Sequence, residues 1–335
     1  MLIKVYCIKQ RAGEMMVRKL TKNFVGLIIT LIVLMGLQSS VWANSKIIFI
    51  PHDNRPISFA QTVESAEGLG FEIVVPPEHL LGNRTDSGKV EALWQWLFQE
   101  IKTADSEVLS ADSLIYGSLV DSRKHELSLE TLLERTDKFT KLKQLQPNLR
   151  IYVFASIMRS PRSSFGGVEP SYYEQYGPSI FAATALEDKA ETVGLTKVEE
   201  KELLKFKKNV PEAAFADWLE RRSKNFTVNA KLVSLVNNND FVYLALGRDD
   251  NAPFSQTRKE SRLLKEQAGA TPVSKFQCLA GIDELGMVLL TRAINDLSFN
   301  IPLVKIEYAN GVGKNTVPTY SDEEIDKSIW QHLLA

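Results

Sequence analysis

Short apolar runs rich in β-branched residues recur along the chain, at 46–50, 71–75, 107–110, 151–157, 241–246, 273–280 and 302–308. Within each run apolar side chains follow one another instead of alternating with polar ones, the pattern of strands buried on both faces. Between them lie stretches of helical period, at 89–102, 127–145, 257–267 and 284–297. Strand and helix in alternation predict an α/β fold with a mostly parallel sheet. A (β/α)8-barrel-like closure is favoured over an open Rossmann-like sheet, with seven runs one short of a full barrel. The spacing breaks between the fourth and fifth runs, where a charged helical insertion is predicted over 169–225. That insertion follows Gly166 and Gly167 and carries Tyr172, Tyr173 and Tyr176 near its start. A last helical pattern, 322–334, ends without a glycine stop.

The first 43 residues follow a different pattern. Arg18, Lys19 and Lys22 precede an uncharged apolar run over 24–37, and Val41-Trp42-Ala43 places small or branched residues before Asn44. This is the layout of a secretory signal peptide. The apolar run of about 14 residues is shorter than the roughly 20 that a membrane-crossing helix needs. Cleavage after Ala43 is therefore expected, with residues 1–14 as an upstream extension and 44–335 as one exported α/β domain free of a membrane span.

Removing the leader changes the charge and the thiol content. The chain holds 40 Lys+Arg and 41 Asp+Glu; six of the former and one of the latter fall in 1–43, leaving 34 against 40, a net charge of −6. A mildly acidic domain without a basic run does not suit nucleic-acid binding, which depends on clustered cations. Of the two cysteines, Cys7 lies in the leader and Cys278 in a predicted strand, so no internal disulfide is available to the exported part.

Chemistry concentrates after the strands. His52, Asp53, Asn54 and Arg55 follow the first run; Asp112, Tyr116 and Arg123 the third; Arg159 and Arg162 the fourth; Asp249, Asp250 and Asn251 the fifth; Asp283 and Glu284 the sixth. In parallel α/β folds the carboxyl ends of the strands open on one side, so these groups are expected to converge. Asp and Asn after a strand also serve as turn formers and helix caps, a role that suits Asp283 before its helix. A cluster of His, Asp, Asn and Arg nevertheless has more hydrogen-bonding capacity than one cap uses. Gly311-Val312-Gly313-Lys314 imitates a phosphate loop but lacks the earlier glycine and the following Ser or Thr. His52, His79, His125 and His332 are too scattered for a histidine-built zinc site.

Four ordered motifs carry a resemblance: Ile50-Pro51-His52-Asp53-Asn54-Arg55-Pro56, Ala111-Asp112-Ser113-Leu114-Ile115-Tyr116-Gly117-Ser118-Leu119, Asp249-Asp250-Asn251-Ala252-Pro253 and Gly281-Ile282-Asp283-Glu284-Leu285-Gly286. From about Lys46 onward the chain resembles the bacterial family called domain of unknown function 4127. The resemblance implies site roles for Asp53, Arg55, Asp249, Asp250, Asn251, Asp283 and Glu284, but supplies no reaction. It also implies that this chain is shortened at its C-terminus.

Paired carboxylates able to hold different protonation states suit glycoside hydrolysis, which needs no cofactor. The leading expectation is an exported, glycosidase-like hydrolase acting on a small-molecule or glycan substrate. Asp250 would be the general acid, with Asp283 or Glu284 as nucleophile or base. His52, Asp53, Asn54, Arg55, Asp112, Tyr116, Arg123, Arg159, Arg162, Asp249 and Asn251 would hold the substrate. One alternative is a phosphoester or amide hydrolase using Mg²⁺, Mn²⁺ or Ca²⁺ between Asp53, Asp249, Asp250 and Asp283. The other is a ligand-binding protein with no chemistry.

Overall fold

A computed structural model describes residues 3–8, 45–163, 166–249, 251–308, 313–318 and 321–335. The expected apolar run of the signal peptide and its cleavage point lie outside the described residues, as does Asp250. Among the described residues there are eight strands: β1 (Ile3–Ile8), β2 (Lys46–Ile50), β3 (Glu72–Val74), β4 (Ser106–Ser110), β5 (Arg150–Ile157), β6 (Tyr243–Arg248), β7 (Phe276–Ala280) and β8 (Leu303–Tyr308). Eleven α-helices accompany them in the same residues: α1 (Ala60–Glu67), α2 (Val90–Glu100), α3 (Ala111–Ile115), α4 (Asp121–Lys124), α5 (Leu129–Leu145), α6 (Tyr173–Thr192), α7 (Lys197–Lys208), α8 (Glu212–Asn237), α9 (Gln256–Ala268), α10 (Leu285–Leu297) and α11 (Ile325–Leu334). Among the described residues no helix is long and apolar enough to cross a membrane.

Six strands form one parallel sheet in the order β3-β2-β4-β5-β6-β7. The α/β expectation holds, and the barrel preference is corrected. A barrel runs its strands in sequence order and closes the last on the first, whereas here β2 lies between β3 and β4 and the sheet has two edges. Both faces are covered. Ile48, Leu109, Val153 and Leu246 pack on one side against Leu93 of α2, Phe139 of α5, Leu232 of α8 and Leu264 of α9. Ile47, Val108, Phe154 and Ala245 pack on the other side against Leu285, Leu289 and Ala293 of α10. Successive residues of one strand feed opposite faces, and this explains why the runs read as continuously apolar.

Two further expectations change. The seventh run becomes β8, which lies outside the parallel sheet and pairs antiparallel with β1, Ile3 opposite Tyr308 and Ile8 opposite Leu303. The stretch set aside as an upstream extension thus contributes a strand. The helical insertion extends past residue 225, because α8 continues to Asn237. Its first half packs Trp218 with Tyr173, Ile180 and Met158 in a separate small core. Its second half inserts Val228, Leu232 and Val236 into the sheet-side core and is the crossover between β5 and β6.

Candidate functional site

After β2 the chain turns outward to β3, and after β4 it turns the other way to β5. This reversal leaves a crevice between the ends of β2 and β4, the place where ligands enter open α/β sheets. On its floor His52 Nδ1 lies 3.0 Å from Asp112 Oδ2 and 3.2 Å from Ser110 Oγ, and Nε2 lies 3.2 Å from the Ile282 carbonyl. Asp112 also accepts the Ser156 backbone N–H at 2.9 Å and its hydroxyl at 3.0 Å. His52 and Asp112 are both buried, so they tie together the ends of β2, β4 and β5 and the loop after β7 without reaching the cavity above.

That cavity, of about 390 Å³, is bounded by Arg55, Arg84, Arg123, Arg159, Asp53, Asp249 and Asp283. Every strand of the parallel sheet sends it a residue. Asp53 accepts the Arg55 backbone N–H at 3.1 Å and its Nε at 2.8 Å, and the outer end of the same guanidinium donates to Asp283 Oδ1 at 2.8 Å. Burial works against the charge on Arg55, but Asp53 and Asp283 outweigh it and raise its pKa. Across the cavity Asp249 Oδ2 accepts Arg123 at 3.0 Å and Arg159 at 3.2 Å. Behind them Glu169, at 2.6 Å from Arg159 Nε, neutralises the same pair. Arg123 is lowered, first by burial and then by the like charge of Arg159.

Asp283 arrives from the far edge of the sheet. The turn after β7 begins at Gly281, with φ +97°, and α10 then crosses back over β5 and β4. A Cβ at Gly286 would stand 3.0 Å from Phe49 and 3.4 Å from Phe154, so its absence lets the helix approach both strands. The capping role anticipated for Asp283 is not the one observed. The N-cap position of α10 is Glu284, which makes no side-chain cap, and the Asp283 carboxylate goes to Arg55.

The remaining predicted residues are placed elsewhere. Glu284 turns away to His332 Nε2 of α11, 3.1 Å distant. Burial opposes the charge on His332, but the Glu284 contact and the Ser328 carbonyl raise its pKa overall. Asn54 donates to Glu78 at 3.2 Å, and Asn251 donates to the Arg248 carbonyl at 3.0 Å. Arg162 lies over the Phe181 ring. Tyr116, its pKa pushed well up by burial and the Asp112 charge, lines a neighbouring cavity. Of the predicted set, Asp53, Arg55, Arg123, Arg159, Asp249 and Asp283 share one cavity.

Arg84, Glu169 and Arg222 went unpredicted. Arg84 follows β3 in the polar stretch Gly82-Asn83-Arg84, so the rule applied to the other strand ends also covers it. Glu169 reads as the start of the insertion. Arg222 sits mid-helix, yet it donates to the Met158 and Arg159 carbonyls at 2.7 and 3.0 Å while holding Glu260 in two bonds of 2.7 Å. It fixes the backbone that carries Arg159.

Among the described residues no three His, Cys, Asp or Glu side chains are grouped to hold a metal ion. Three of the four aspartates of the divalent-cation reading face guanidiniums instead, Asp53 and Asp283 across Arg55 and Asp249 at Arg123 and Arg159. A cation between them would have to displace the arginines.

The four resembling motifs now have physical roles. His52, Asp53 and Arg55 build the first strand end, Asp112 ties the crevice floor, Asp249 engages two arginines, and the two glycines of the last motif bring Asp283 across the sheet. No curated protein matches the chain. Residues 47–335 match the model of the family described as protein of unknown function (DUF4127), and the chain belongs to that family.

Proposed function

We propose that the arginine-walled cavity binds a small hydroxyl-bearing organic acid of the sugar-acid type. The observation that carries this reading is the interleaving of four guanidiniums with three carboxylates on one wall set. Guanidiniums hold a carboxylate through paired charge-assisted bonds, and carboxylates accept hydroxyl donors. Arg84 donates to the Gly166 carbonyl instead of to an acid, and the four lining arginines exceed the three lining acids by one, which favours a singly charged, hydroxylated ligand over a multiply charged one. Calorimetric titration with glucuronate and galacturonate tests it. Arg159→Ala removes a charge-assisted contact worth about 1.5–3 kcal/mol and is expected to weaken binding roughly 10- to 100-fold. Equal affinity in the variant would overturn the reading.

Hydrolysis of a bond in that ligand is a second reading, favoured by one observation. Asp249 and Asp283 are 30% and 39% exposed, and each meets arginine through a single oxygen. Their other oxygens have no described partner and are available to move a proton to or from water and a leaving oxygen. Asp249→Asn and Asp283→Asn should each lower turnover of a nitrophenyl uronide about 10²- to 10⁴-fold. Full turnover in both would remove them from the chemistry. Export completes the proposal: the secreted protein is expected to begin at Asn44, which N-terminal sequencing reads directly.

A further inference from the structure

A second cavity, of about 650 Å³, adjoins the arginine-walled one, and the two share Arg84 and Val120 as a common wall. Most of its charged side chains already have partners within the protein. Glu91 meets Arg135 and Lys138, Asp121 accepts the Ser87 and Ser118 hydroxyls, and Lys124 donates to the Gly167 carbonyl. The two remaining charges of its lining, Lys89 and Glu126, are of opposite sign.

The inner wall carries two rings in contact, Tyr116 and His125, with centroids 5.0 Å apart and planes tilted by 32°. The hydrogen bonds around His125 fix its tautomer. Asn225 Nδ2 must donate to the Ser122 carbonyl at 2.7 Å, so Asn225 Oδ1 is an acceptor, and His125 Nε2, 2.7 Å away, carries the proton. The Nδ1 lone pair is left buried with no partner. Burial lowers the pKa of this ring to about 4, so at neutral pH the lone pair stays available. An orphaned buried acceptor is costly to the fold, and a donor from a ligand restores the missing bond.

Resting on the sugar-acid reading above, we propose that the two cavities form one cleft for an acidic disaccharide. The acid unit lies among the arginines, and a neutral sugar lies beyond Arg84 with a hydroxyl directed to His125 Nδ1. The test compares the full chain's affinity for glucuronate, for glucuronyl disaccharides bearing a neutral second sugar, and for cellobiose. The disaccharide acids are expected to bind about tenfold tighter than glucuronate, and cellobiose not at all. Lys89→Trp, at an exposed position lining only the outer cavity, should erase that advantage while leaving glucuronate affinity unchanged. His125→Phe should do the same while keeping a ring against Tyr116. If glucuronate binds and the disaccharides bind no better, the second subsite is wrong and the arginine cavity stands. If neither binds, both fall. If Lys89→Trp keeps the disaccharide advantage, the neutral sugar lies elsewhere and the cleft is overturned.

Discussion

Glu107→Met is expected to raise the melting temperature, by an amount that grows as the pH rises from about 4.5 to about 8. Glu107 lies in β4 in register with Ile48 and Ile151, and projects with Leu109 into the larger apolar core. It is fully buried, and neither carboxyl oxygen has a hydrogen-bond partner. Burial raises its pKa from 4.5 to about 8, since a lone carboxylate in that setting is poorly solvated. Through this window the folded chain keeps the proton and the unfolded chain releases it, so rising pH draws the protein toward unfolding. At about 1.4 kcal/mol per pH unit the loss reaches about 5 kcal/mol. Below pH 4.5 the native chain and the variant should differ by a constant amount. Thermal melts at pH 4.5, 6 and 8 should show a gap widening by on the order of 10 °C. A gap that does not change with pH would mean that Glu107 has a partner or is ionised in the folded state.

The second large effect concerns Arg222. Arg222→Leu leaves Glu260 charged in a buried site and strips the Met158 and Arg159 carbonyls of their donor. The expected cost is about 3–5 kcal/mol, read by urea unfolding. A double variant, Arg222→Met with Glu260→Leu, should recover most of the loss, because replacing both partners leaves no isolated charge. Binding separates scaffold from site. Both variants lose the clamp on the Arg159 backbone, so both should bind glucuronate more weakly at temperatures where they remain folded. Native affinity in the double variant would show that Arg159 is positioned without Arg222.

Strand content was legible because β-branched runs such as 46–50 admit few other structures in a chain with regular helical spacers, and β2 occupies those residues. Strand order was not legible. The placement of β2 between β3 and β4 depends on contacts across the whole sheet, and the apolar pattern of β2 is the same in a barrel and in an open sheet. The site was readable where a polar residue follows a strand, as at Asp53, Arg123 and Asp249. It was ambiguous where one residue type serves two purposes: Asp283 suits both a cap and a site acid, and only the return of α10 over the sheet brings it to Arg55. Glu284, one residue later, points the other way toward α11. Glu107 carries no signal in a run otherwise suited to a core strand. Arg222 carries none either, because a charged residue within a long helix ordinarily faces solvent.

The pairing of β1 with β8 has a consequence for the proposed export. If cleavage follows Ala43, the departing leader takes β1 with it, and β8 is left as an unguarded edge. Unpaired edges template the addition of foreign strands, and proteins restrain this with short length and charge. Residues 303–308 meet both conditions, since the strand has six residues and presents Lys305 and Glu307 side by side. Precursor and mature protein would then differ in adhesiveness, with that charged pair the main barrier to self-association once the leader is gone.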